Sequence, residues 1–389
     1  MTNSDFHPSR AGESDALETP PSVPPLFQTT AFDIADLQQL QQIYAGEISG
    51  YIYSRDGNPN HRMFENAIAE MEGAEAAVAA SSGMGSLAAS FLAMLKSGDH
   101  VVSARVLYGK SLQLLTELSA RYGIDVTFVD ATHPEQFAAA CRPNTRLAIV
   151  ETLSNPLLEV ANIPAIAQAL QSVPLLVDST FTTPELIRPL DLGAKIVFHS
   201  VSKYLNGHGD VTLGVLAGAQ EFIEPIAKET SLFGMNANPF DCWLALRGLR
   251  TLPLRMRQVS QSAIQIAEFL ESHSRVENVF YPGLKSHDDW SLGQQLLPHG
   301  CSGMLSFELR DGTSGLVSEF MRLARTLPFS PTLADARTTL SYPAGTSHRH
   351  LSPAERVALG VNDALVRLST GLEPADLLIK ELRAALDAL

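Results

Sequence analysis

The chain of 389 residues is 45% hydrophobic and 18% charged, and its 42 acidic residues outnumber its 28 basic ones, which gives a formal net charge of −14. The length predicts two domains, the acidic balance argues against a nucleic-acid-binding protein, and no run of about 18 apolar residues is present that could span a membrane. The three cysteines are far apart in the sequence, so we expect a cytoplasmic protein without disulfides or a thiolate metal site.

Residues 1–60 are predicted to form an extended N-terminal arm. The first 25 residues are polar and end in a proline cluster, which disfavours a core of their own. An amphipathic stretch follows over 33–45. The turn-rich segment 51–60 then holds two tyrosines and an arginine. A guanidinium beside a tyrosine hydroxyl can clamp a phosphate, although the same pattern also fits an ordinary surface loop.

Strands alternate with helices in the next part of the chain. We predict helices over 61–72, 87–95 and 163–169, and strands over 76–80, 101–102, 125–129, 147–150, 175–178 and 196–198. Such alternation indicates a doubly wound, mostly parallel sheet. Open sheets of this type bind their ligands at the carboxyl ends of the strands, so polar residues at those ends are candidates for a site.

Three strand ends carry such candidates. The glycine-rich turn Ser81-Ser-Gly-Met-Gly-Ser86 joins a strand to a helix, a geometry that can receive a phosphate or merely reverse the chain. Tyr108 follows the next strand. Asp178 ends an apolar strand, where a carboxylate without a cationic partner is costly, and a protonated pyridine nitrogen would be a suitable partner.

The stretch 195–210 places Lys203 in a polar loop just after a buried strand, together with Ser200 and Ser202 and two glycines. These residues suit an aldehyde cofactor that bears a phosphate, because the amine can form a Schiff base while the hydroxyls bind the phosphate. An ordinary strand-end lysine on a solvated loop gives the same local pattern, so this stretch alone does not distinguish a cofactor-binding lysine from a surface lysine.

We place a domain boundary near residue 253, so that residues 61–252 and 253–389 form two domains. The second contains predicted strands at 276–281 and 303–308, and helices at 254–272, 314–326 and 353–359, with a last helix from Pro374. Arg367 interrupts a strand-like apolar run. An arginine in such a run usually faces a ligand carboxylate or an internal acid.

Seven short motifs occur in one chain. They are Tyr-Ser-Arg at 53–55, Ser-Gly-Met at 82–84, Leu-Tyr-Gly at 107–109, Glu-x3-Asn-Pro at 151–156, Val-Asp-Ser-Thr at 177–180, His-Ser-x-Ser-Lys-Tyr-x-x-Gly-His at 199–208 and Val-Arg-Leu-Ser-x-Gly-x-Glu at 366–373. Together they resemble the Cys/Met-metabolism family of pyridoxal-phosphate (PLP) enzymes, which includes methionine γ-lyase, cystathionine γ-lyase, cystathionine γ-synthase and the homoserine-ester sulfhydrylases. The resemblance covers roughly residues 22–389, and seven motifs in register are far more specific than a single glycine-rich turn.

The resemblance implies a type I PLP-dependent transferase fold, similar to aspartate aminotransferase, with a large PLP-binding domain and a smaller C-terminal α/β domain. It implies a homotetramer built as a dimer of dimers, whose N-terminal arms contact neighbouring subunits and whose active sites are shared across the dimer interface. Tyr53 and Arg55 would then reach the cofactor phosphate of a neighbouring subunit.

The resemblance also implies the roles of the other site residues. Lys203 would form the internal aldimine and shuttle protons, Asp178 would pair with the pyridine nitrogen, and Tyr108 would stack on the ring and act as acid or base at the leaving group. The other residues implied to hold the cofactor are Ser82, Gly83, Met84, Asn155, Ser200 and Ser202, with Glu151 as support near the ring. Those implied to contact an amino-acid substrate are Lys110, Asn155, Thr332, Leu333 and, at its carboxylate, Arg367.

The chain departs from the family pattern in the lysine motif, where Lys195 replaces a common Asp or Gln and Ser202 a common Thr, and in two further regions. Lys110 stands where methionine γ-lyases often carry cysteine. The block often written Glu-Ser-Leu-Gly-Gly-x-Glu-Ser-Leu in cystathionine enzymes is Pro331-Thr-Leu-Ala-Asp-Ala-Arg-Thr-Thr339 here, so that Pro331 and Arg337 replace its two acids. Lys110 and Arg337 would favour an anionic distal group on the substrate, unless both are simply solvated or salt-bridged.

The resemblance implies a PLP enzyme that acts at Cγ of a sulfur- or oxygen-substituted amino acid, foremost a γ-lyase that eliminates through a vinylglycine-type quinonoid intermediate. A γ-replacement synthase or sulfhydrylase on an O-acylhomoserine, and a γ-lyase on a γ-oxygenated amino acid such as canavanine, remain as alternatives. The motif order disfavours a transaminase or β-lyase, and the retained site residues disfavour a non-catalytic regulator. His348 and His350 have no third ligand in the sequence, so no metal is expected.

Overall fold

The computed structural model describes residues 21–349 and 352–389, together with Pro8 and Thr19. Most of the first 20 residues of the predicted arm, and also His350, therefore lie outside the described residues.

The larger sheet is built from seven strands. They are β1 Ala76–Ala80, β2 His100–Ala104, β3 Asp125–Val129, β4 Thr145–Glu151, β5 Leu175–Asp178, β6 Ile196–Ser200 and β7 Gly214–Gly218. Their order is β1-β7-β6-β5-β4-β2-β3. The five strands from β6 to β3 pair in parallel, whereas β7 is antiparallel to both of its neighbours. The predicted mostly parallel sheet is confirmed.

Ten helices accompany this sheet in the described residues. They are α1 Leu37–Tyr44, α2 Pro59–Glu72, α3 Gly83–Met94, α4 Gly109–Tyr122, α5 Pro134–Ala140, α6 Ile163–Leu170, α7 Thr183–Leu186, α8 Gln220–Leu232, α9 Pro239–Leu249 and α10 Leu252–Glu271. The strands β4 and β5 are almost completely buried between them, as expected for parallel strands covered on both faces. Short 3₁₀ turns occur at Pro189–Leu192 and Pro343–Gly345.

The remainder of the chain forms a smaller, antiparallel sheet with four helices. Its strands are β8 Val276–Phe280, β9 Met304–Leu309, β10 Thr339–Ser341 and β11 Leu365–Ser369, in the order β10-β11-β9-β8. Its helices are α11 Trp290–Leu296, α12 Ser314–Leu323, α13 Pro353–Ala358 and α14 Ala375–Asp387. This agrees with the expected smaller C-terminal α/β domain. The boundary near residue 253 stays a prediction, and α10 begins at Leu252.

Both sheets border one large apolar cluster, which includes Val177 of β5 and Phe307 of β9, both fully buried. The long helix α10 packs on β8, β9 and α14, and also contacts α7. The two sheets are therefore joined by one continuous core, and this fixes the position of β11 relative to the carboxyl ends of β4, β5 and β6. None of the described helices combines the length and the hydropathy that a membrane span requires.

Candidate active site

A cavity of about 830 Å³ lies at the carboxyl ends of the parallel strands. It is lined by the ends of β4, β5 and β6 and by the first residues of α3 and α4. From the C-terminal region, residues 331–333 and 345–347 line it, together with Arg349 and Arg367. The sequence-predicted site residues Tyr53 and Arg55 do not line it. The other residues predicted to hold the cofactor or to contact the substrate do line it: Ser82, Gly83, Met84, Tyr108, Lys110, Glu151, Asn155, Asp178, Ser200, Ser202, Lys203, Thr332, Leu333 and Arg367.

Lys203 lies in the tight turn that follows β6. Its backbone N–H donates to the Ser200 carbonyl at 3.1 Å, and its own carbonyl accepts from Gly207 at 2.7 Å. Burial lowers the pKa of the Lys203 amine, the nearby Arg367 guanidinium lowers it further, and Asp335 opposes both effects. A lower pKa makes the unprotonated amine more abundant near neutral pH, and this is the form that adds to an aldehyde.

Glu151 and Asp178 lie opposite each other at the ends of the parallel strands β4 and β5. The Glu151 carboxylate accepts from the Tyr108 backbone N–H at 2.6 Å. Burial raises the pKa of Glu151 well above its usual range, and the Asp178 charge raises it further.

Burial also raises the pKa of Asp178, while hydrogen bonds from Thr180 oppose this shift. One of these bonds runs from the Thr180 backbone N–H to Asp178 Oδ1 at 2.9 Å. In the described residues no Lys, Arg or His nitrogen forms an ion pair with Asp178. A carboxylate that is so poorly solvated calls for a cationic group from a ligand.

The N-terminus of α3 forms an anion-binding cradle beside Lys203. Ser82 is the N-cap, and its Oγ accepts from the Gly85 N–H at 3.0 Å. A Cβ at Gly83 would lie 3.0 Å from the Ser200 Cβ, so glycine is what allows the two segments to approach. The backbone N–H groups of the first helical turn have no partner within the helix, and the helix dipole adds positive potential there. The cradle therefore suits a phosphate.

Ser202 completes the opposite side of the cavity wall. Its Oγ accepts from the Leu213 N–H at 3.1 Å, which ties the Lys203 turn to the segment that leads into β7. Thr180 links the two sides, since its Oγ1 accepts from the Ser200 N–H at 2.9 Å while its own N–H binds Asp178. Thr180 thus joins the Asp178 carboxylate to Ser200, the residue that packs against Gly83 of the cradle.

Arg367 enters the cavity from β11. Its Nη1 donates to Asn155 Oδ1 at 2.7 Å, and its Nε donates to Ser341 Oγ at 3.1 Å. Burial lowers its pKa to about 10, which leaves it charged at neutral pH. In the described residues it has no carboxylate partner, so the guanidinium keeps donors free for the carboxylate of a ligand.

The rim of the cavity carries two further cations. Lys110 is exposed, and its Nζ donates to Gln113 Oε1 at 2.8 Å. Arg349 is also exposed and lines the same cavity. Arg337, which the sequence suggested as a distal cation, is exposed and does not line the cavity. The rim charge therefore comes from Lys110 and Arg349.

Tyr53 and Arg55 are exposed on the surface of the protomer, away from its own cavity. The Arg55 guanidinium carbon lies 5.2 Å from the centroid of the Tyr53 ring, and its Nε lies 3.7 Å from Asp56 Oδ1. Their expected action in a neighbouring subunit stays a prediction.

Sequence reasoning gave no role to Thr180, Ser341, Arg349 or Asp335. Thr180 stands inside the Val-Asp-Ser-Thr motif, so its position two residues after Asp178 was a signal for an Asx-type turn. Ser341 faces Arg367 only through the pairing of β10 with β11, and Arg349 lies on a loop. No local pattern in the sequence could have shown these two.

The residues present fit a phosphorylated pyridine aldehyde. A cradle for the phosphate, a carboxylate for the ring nitrogen and a lysine for the aldehyde all border one cavity, and Arg367 is available for the carboxylate of a substrate.

Comparisons with known proteins agree with this chemistry. The family model described as "Cys/Met metabolism PLP-dependent enzyme" matches residues 9–387. The chain is 41% identical to L-methionine γ-lyase of Porphyromonas gingivalis, across 94% of this chain and 92% of that protein, and 38% identical to O-succinylhomoserine sulfhydrylase of Pseudomonas aeruginosa, across 94% and 90%. It superposes on cystathionine γ-synthase of Xanthomonas oryzae pv. oryzae, solved with aminoacrylate and cysteine, with a TM-score of 0.92 and 33% identity, across 98% and 96% of the two chains. The chain therefore belongs to the Cys/Met-metabolism family of PLP-dependent enzymes.

Proposed function

We propose that this PLP-dependent enzyme is a γ-lyase, which eliminates a sulfur- or oxygen-linked group from Cγ of an amino acid. The observation that carries the proposal is the convergence of Lys203, Asp178 and Arg367 on one cavity. Two of its relatives named above act on amino acids substituted at this position, according to their names: one is a methionine γ-lyase and the other an O-succinylhomoserine sulfhydrylase.

The cofactor would be held from three sides. Gly83 and Met84 would offer the N–H groups of the α3 N-terminus to the phosphate, with the hydroxyls of Ser82, Ser200 and Ser202 around it. Asp178 would accept from the protonated ring nitrogen, and its carboxylate would keep that nitrogen protonated. Asn155 and Tyr108 would contact the ring. When bound, PLP supplies an electron sink next to the substrate Cα.

Other side chains of the cavity would bind the substrate and transfer protons. Arg367 would hold the substrate carboxylate with its forked donors. The Lys203 amine, whose pKa is lowered by burial, would take a proton first from Cα and then from Cβ. Tyr108 would donate a proton to the departing sulfur or oxygen atom. It is 41% exposed, so its ring stands free to meet a cofactor.

A second candidate is γ-replacement on an O-acylhomoserine with an anionic acyl group. The observation that favours it is the pair of rim cations, Lys110 and Arg349, which would attract a distal carboxylate. The relative named O-succinylhomoserine sulfhydrylase supports this candidate. The early proton transfers would be the same as for the lyase, so the two candidates differ in whether a thiol is needed to release the product.

We infer that the assembly is a homotetramer, a dimer of dimers in which Tyr53 and Arg55 complete the phosphate site of a neighbouring subunit. The exposure of both side chains outside their own cavity supports this. We also infer a cytoplasmic location. Cys141, Cys242 and Cys301 are all free, which is typical of a reducing compartment.

The test is a spectrum followed by a substrate panel. We expect an absorbance band at about 420 nm that is lost in Lys203→Ala. The band should be kept in Lys195→Ala, which is a matched control because Lys195 is exposed at the start of β6. The panel contains methionine, cystathionine, O-acetylhomoserine, O-succinylhomoserine, homocysteine and canavanine, each with and without a thiol. Release of an oxo acid and ammonia without a thiol supports the lyase. Turnover only with a thiol supports the second candidate, and the absence of a band with added PLP overturns both.

A further inference from the structure

Asp335 lies in the loop between α12 and β10, at the place of the glycine-rich block of the cystathionine enzymes. This loop is fixed on two sides. The Ala334 N–H donates to Ser369 Oγ at 2.7 Å, and the Ala336 N–H donates to the Gly207 carbonyl at 3.0 Å. Ala336 also donates to Asp335 Oδ1 at 2.6 Å. The loop is thereby attached directly to the turn that carries Lys203.

The Asp335 carboxylate packs against the second glycine of that turn. A Cβ at Gly209 would lie 2.6 Å from Asp335 Oδ2, so the two segments are in close contact only because position 209 has no side chain. Gly209 lines the active-site cavity together with Lys203. The carboxylate is half-buried, and this limits its screening by solvent.

Arg255 of α10 holds the same turn from the other side. Its guanidinium is buried and donates to the carbonyl oxygens of Tyr204 and Leu205, and also to Gly248 at 2.8 Å. All of these acceptors are neutral, and in the described residues no carboxylate lies within ion-pair distance of Arg255. A buried cation with neutral partners is stabilised by any nearby negative charge, and Asp335 is the acid that acts on it.

We propose that Asp335 is a positioning residue for Lys203: its carboxylate secures the Gly207–Gly209 turn, which is hydrogen-bonded to the Lys203 carbonyl, and it brings a negative charge to that turn. The inference rests on the proposed role of Lys203 as the lysine that binds the cofactor. In the block quoted above for the cystathionine enzymes a glycine stands at this position, whereas this chain carries Asp335. It would make the Lys203 nitrogen easier to protonate and the cofactor linkage more electrophilic toward the amino group of a substrate.

The charges around Lys203 predict how removal of the Asp335 charge should change the titration of the Lys203 nitrogen. Arg367 on β11 and burial both lower the pKa of the Lys203 amine, and Asp335 raises it. The other titratable groups that line the cavity are Tyr108, Lys110, Glu151, Asp178 and Arg349. A neutral residue at position 335 would leave Arg367 unopposed at this nitrogen, so the lysine nitrogen should titrate at lower pH.

The experiment compares the cofactor-loaded wild type with Asp335→Asn, Asp335→Gly and Asp335→Glu. Asp363→Asn is the matched control, because Asp363 is an exposed acid that pairs with Arg356 away from the cavity. The first readout is the pH titration of the absorbance of the lysine-linked cofactor. The second is the pH dependence with which an acylating reagent modifies Lys203 in the cofactor-free protein, followed by mass spectrometry.

We expect both titrations to shift to lower pH in Asp335→Asn and Asp335→Gly, and to stay near the wild-type position in Asp335→Glu and Asp363→Asn. Unshifted titrations in either neutral variant that folds would overturn the inference. If the wild type carries no lysine-linked cofactor, the proposed function fails. The acylation profiles of the same variants then still decide whether Asp335 acts on Lys203.

Discussion

The Arg367 guanidinium and the Asn155 side chain meet at 2.7 Å, although 212 positions separate them in the chain. Arg367 belongs to β11 of the small sheet, while Asn155 follows β4 of the large sheet. Ser306 of β9 strengthens the same junction, since its Oγ donates to the Pro156 carbonyl at 2.7 Å. The group that would hold the substrate carboxylate is therefore fixed directly to the segment that would contact the cofactor ring.

We predict that Arg367→Lys raises the KM for the amino-acid substrate. Lysine keeps the charge but loses the planar fork that binds Asn155, Ser341 and a carboxylate at once. A hydrogen bond to a charged group contributes about 1.5–3 kcal/mol, which corresponds to a KM increase of about 10- to 150-fold. Steady-state kinetics on the best substrate of the panel measure it.

Arg337→Lys is the matched control for this prediction, because Arg337 is exposed and outside the cavity. Its KM should equal that of the wild type. A KM that is unchanged in Arg367→Lys, or that rises equally in both variants, would contradict the assignment of Arg367 to the substrate carboxylate.

We predict that Gly214→Ala weakens the binding of PLP. A Cβ at position 214 would lie 2.5 Å from Ser86 Oγ and would also overlap the Ser82 carbonyl oxygen, so the start of α3 must move. Displacing these N–H groups removes donors from the phosphate, at about 1.5–3 kcal/mol for each charge-assisted bond lost. Titration of the cofactor-free protein with PLP measures the dissociation constant.

Gly315→Ala controls for the loss of backbone freedom. Gly315 lies in α12, and the nearest atom to an added Cβ there is Thr313 Oγ1 at 3.6 Å. Alanine at this helical position should leave PLP binding unchanged and stabilise the protein by about 0.5–1 kcal/mol. Equal PLP affinity in Gly214→Ala and the wild type would show that the start of α3 does not hold the phosphate.

Three strands of the large sheet could be predicted well from the sequence. The predicted bounds of β1, β3 and β5 equal those of the structure, because each is a short, mostly apolar run that is bounded by polar or turn-forming residues. The helix α8 was not predicted; it contains Pro225, which weakens a helical pattern. The strand β10 has only three residues, and its pairing with β11 depends on the tertiary structure.

In the candidate site, too, some residues could be predicted from the sequence and others could not. Its residues at strand ends, such as Tyr108 and Asp178, could be found because the carboxyl ends of parallel strands meet at one edge. The cations near the distal group of the substrate could not be found in this way. Arg337 was favoured from its place in a motif, yet the loop turns it away from the cavity, while Arg349 lines the rim. Loop paths depend on packing between distant segments, which local patterns do not encode.

We predict that His61 makes the protein sensitive to mild acid. His61 is buried in α2, and its Nε2 has no partner in the described residues. Burial lowers its pKa from 6.5 to about 4, although a hydrogen bond with the Ala237 backbone opposes this shift. Because the folded pKa is below the unfolded one, the contribution of this histidine to stability is complete above pH 6.5 and declines as the pH falls toward 4.

The expected loss is about 2 kcal/mol of unfolding free energy between about pH 7 and pH 5. Urea denaturation at fixed protein concentration measures it, as the difference between the wild type and His61→Gln, which cannot titrate. His133→Gln, at an exposed histidine, should show the wild-type pH dependence. A His61→Gln protein that loses as much stability on acidification as the wild type would show that another group is responsible.

We predict that active sites are shared between subunits, and that two inactive variants restore activity when mixed. Lys203→Ala removes the lysine within the cavity, whereas Arg55→Ala removes a side chain that lies outside the cavity of its own protomer. In a mixed dimer with shared sites, one site carries both substitutions and the other carries neither. Random reassortment after mild denaturation and refolding should therefore restore about a quarter of wild-type activity.

Active sites that are not shared between subunits would give a different activity in the mixture. If each protomer built its phosphate site from its own Arg55, every site in the mixture would carry one substitution, and activity would stay at the level of the separate variants. Arg121→Ala is a suitable control partner for Lys203→Ala, because Arg121 is exposed on α4 and pairs only with Glu117 in the described residues. A mixture of Lys203→Ala with Arg121→Ala should show about half of wild-type activity whether or not sites are shared, since half of the lysines are intact. Against that reference of about half, shared sites should give about a quarter of wild-type activity and self-contained sites only the level of the separate variants, because only sharing lets Lys203 of one subunit work with Arg55 of another.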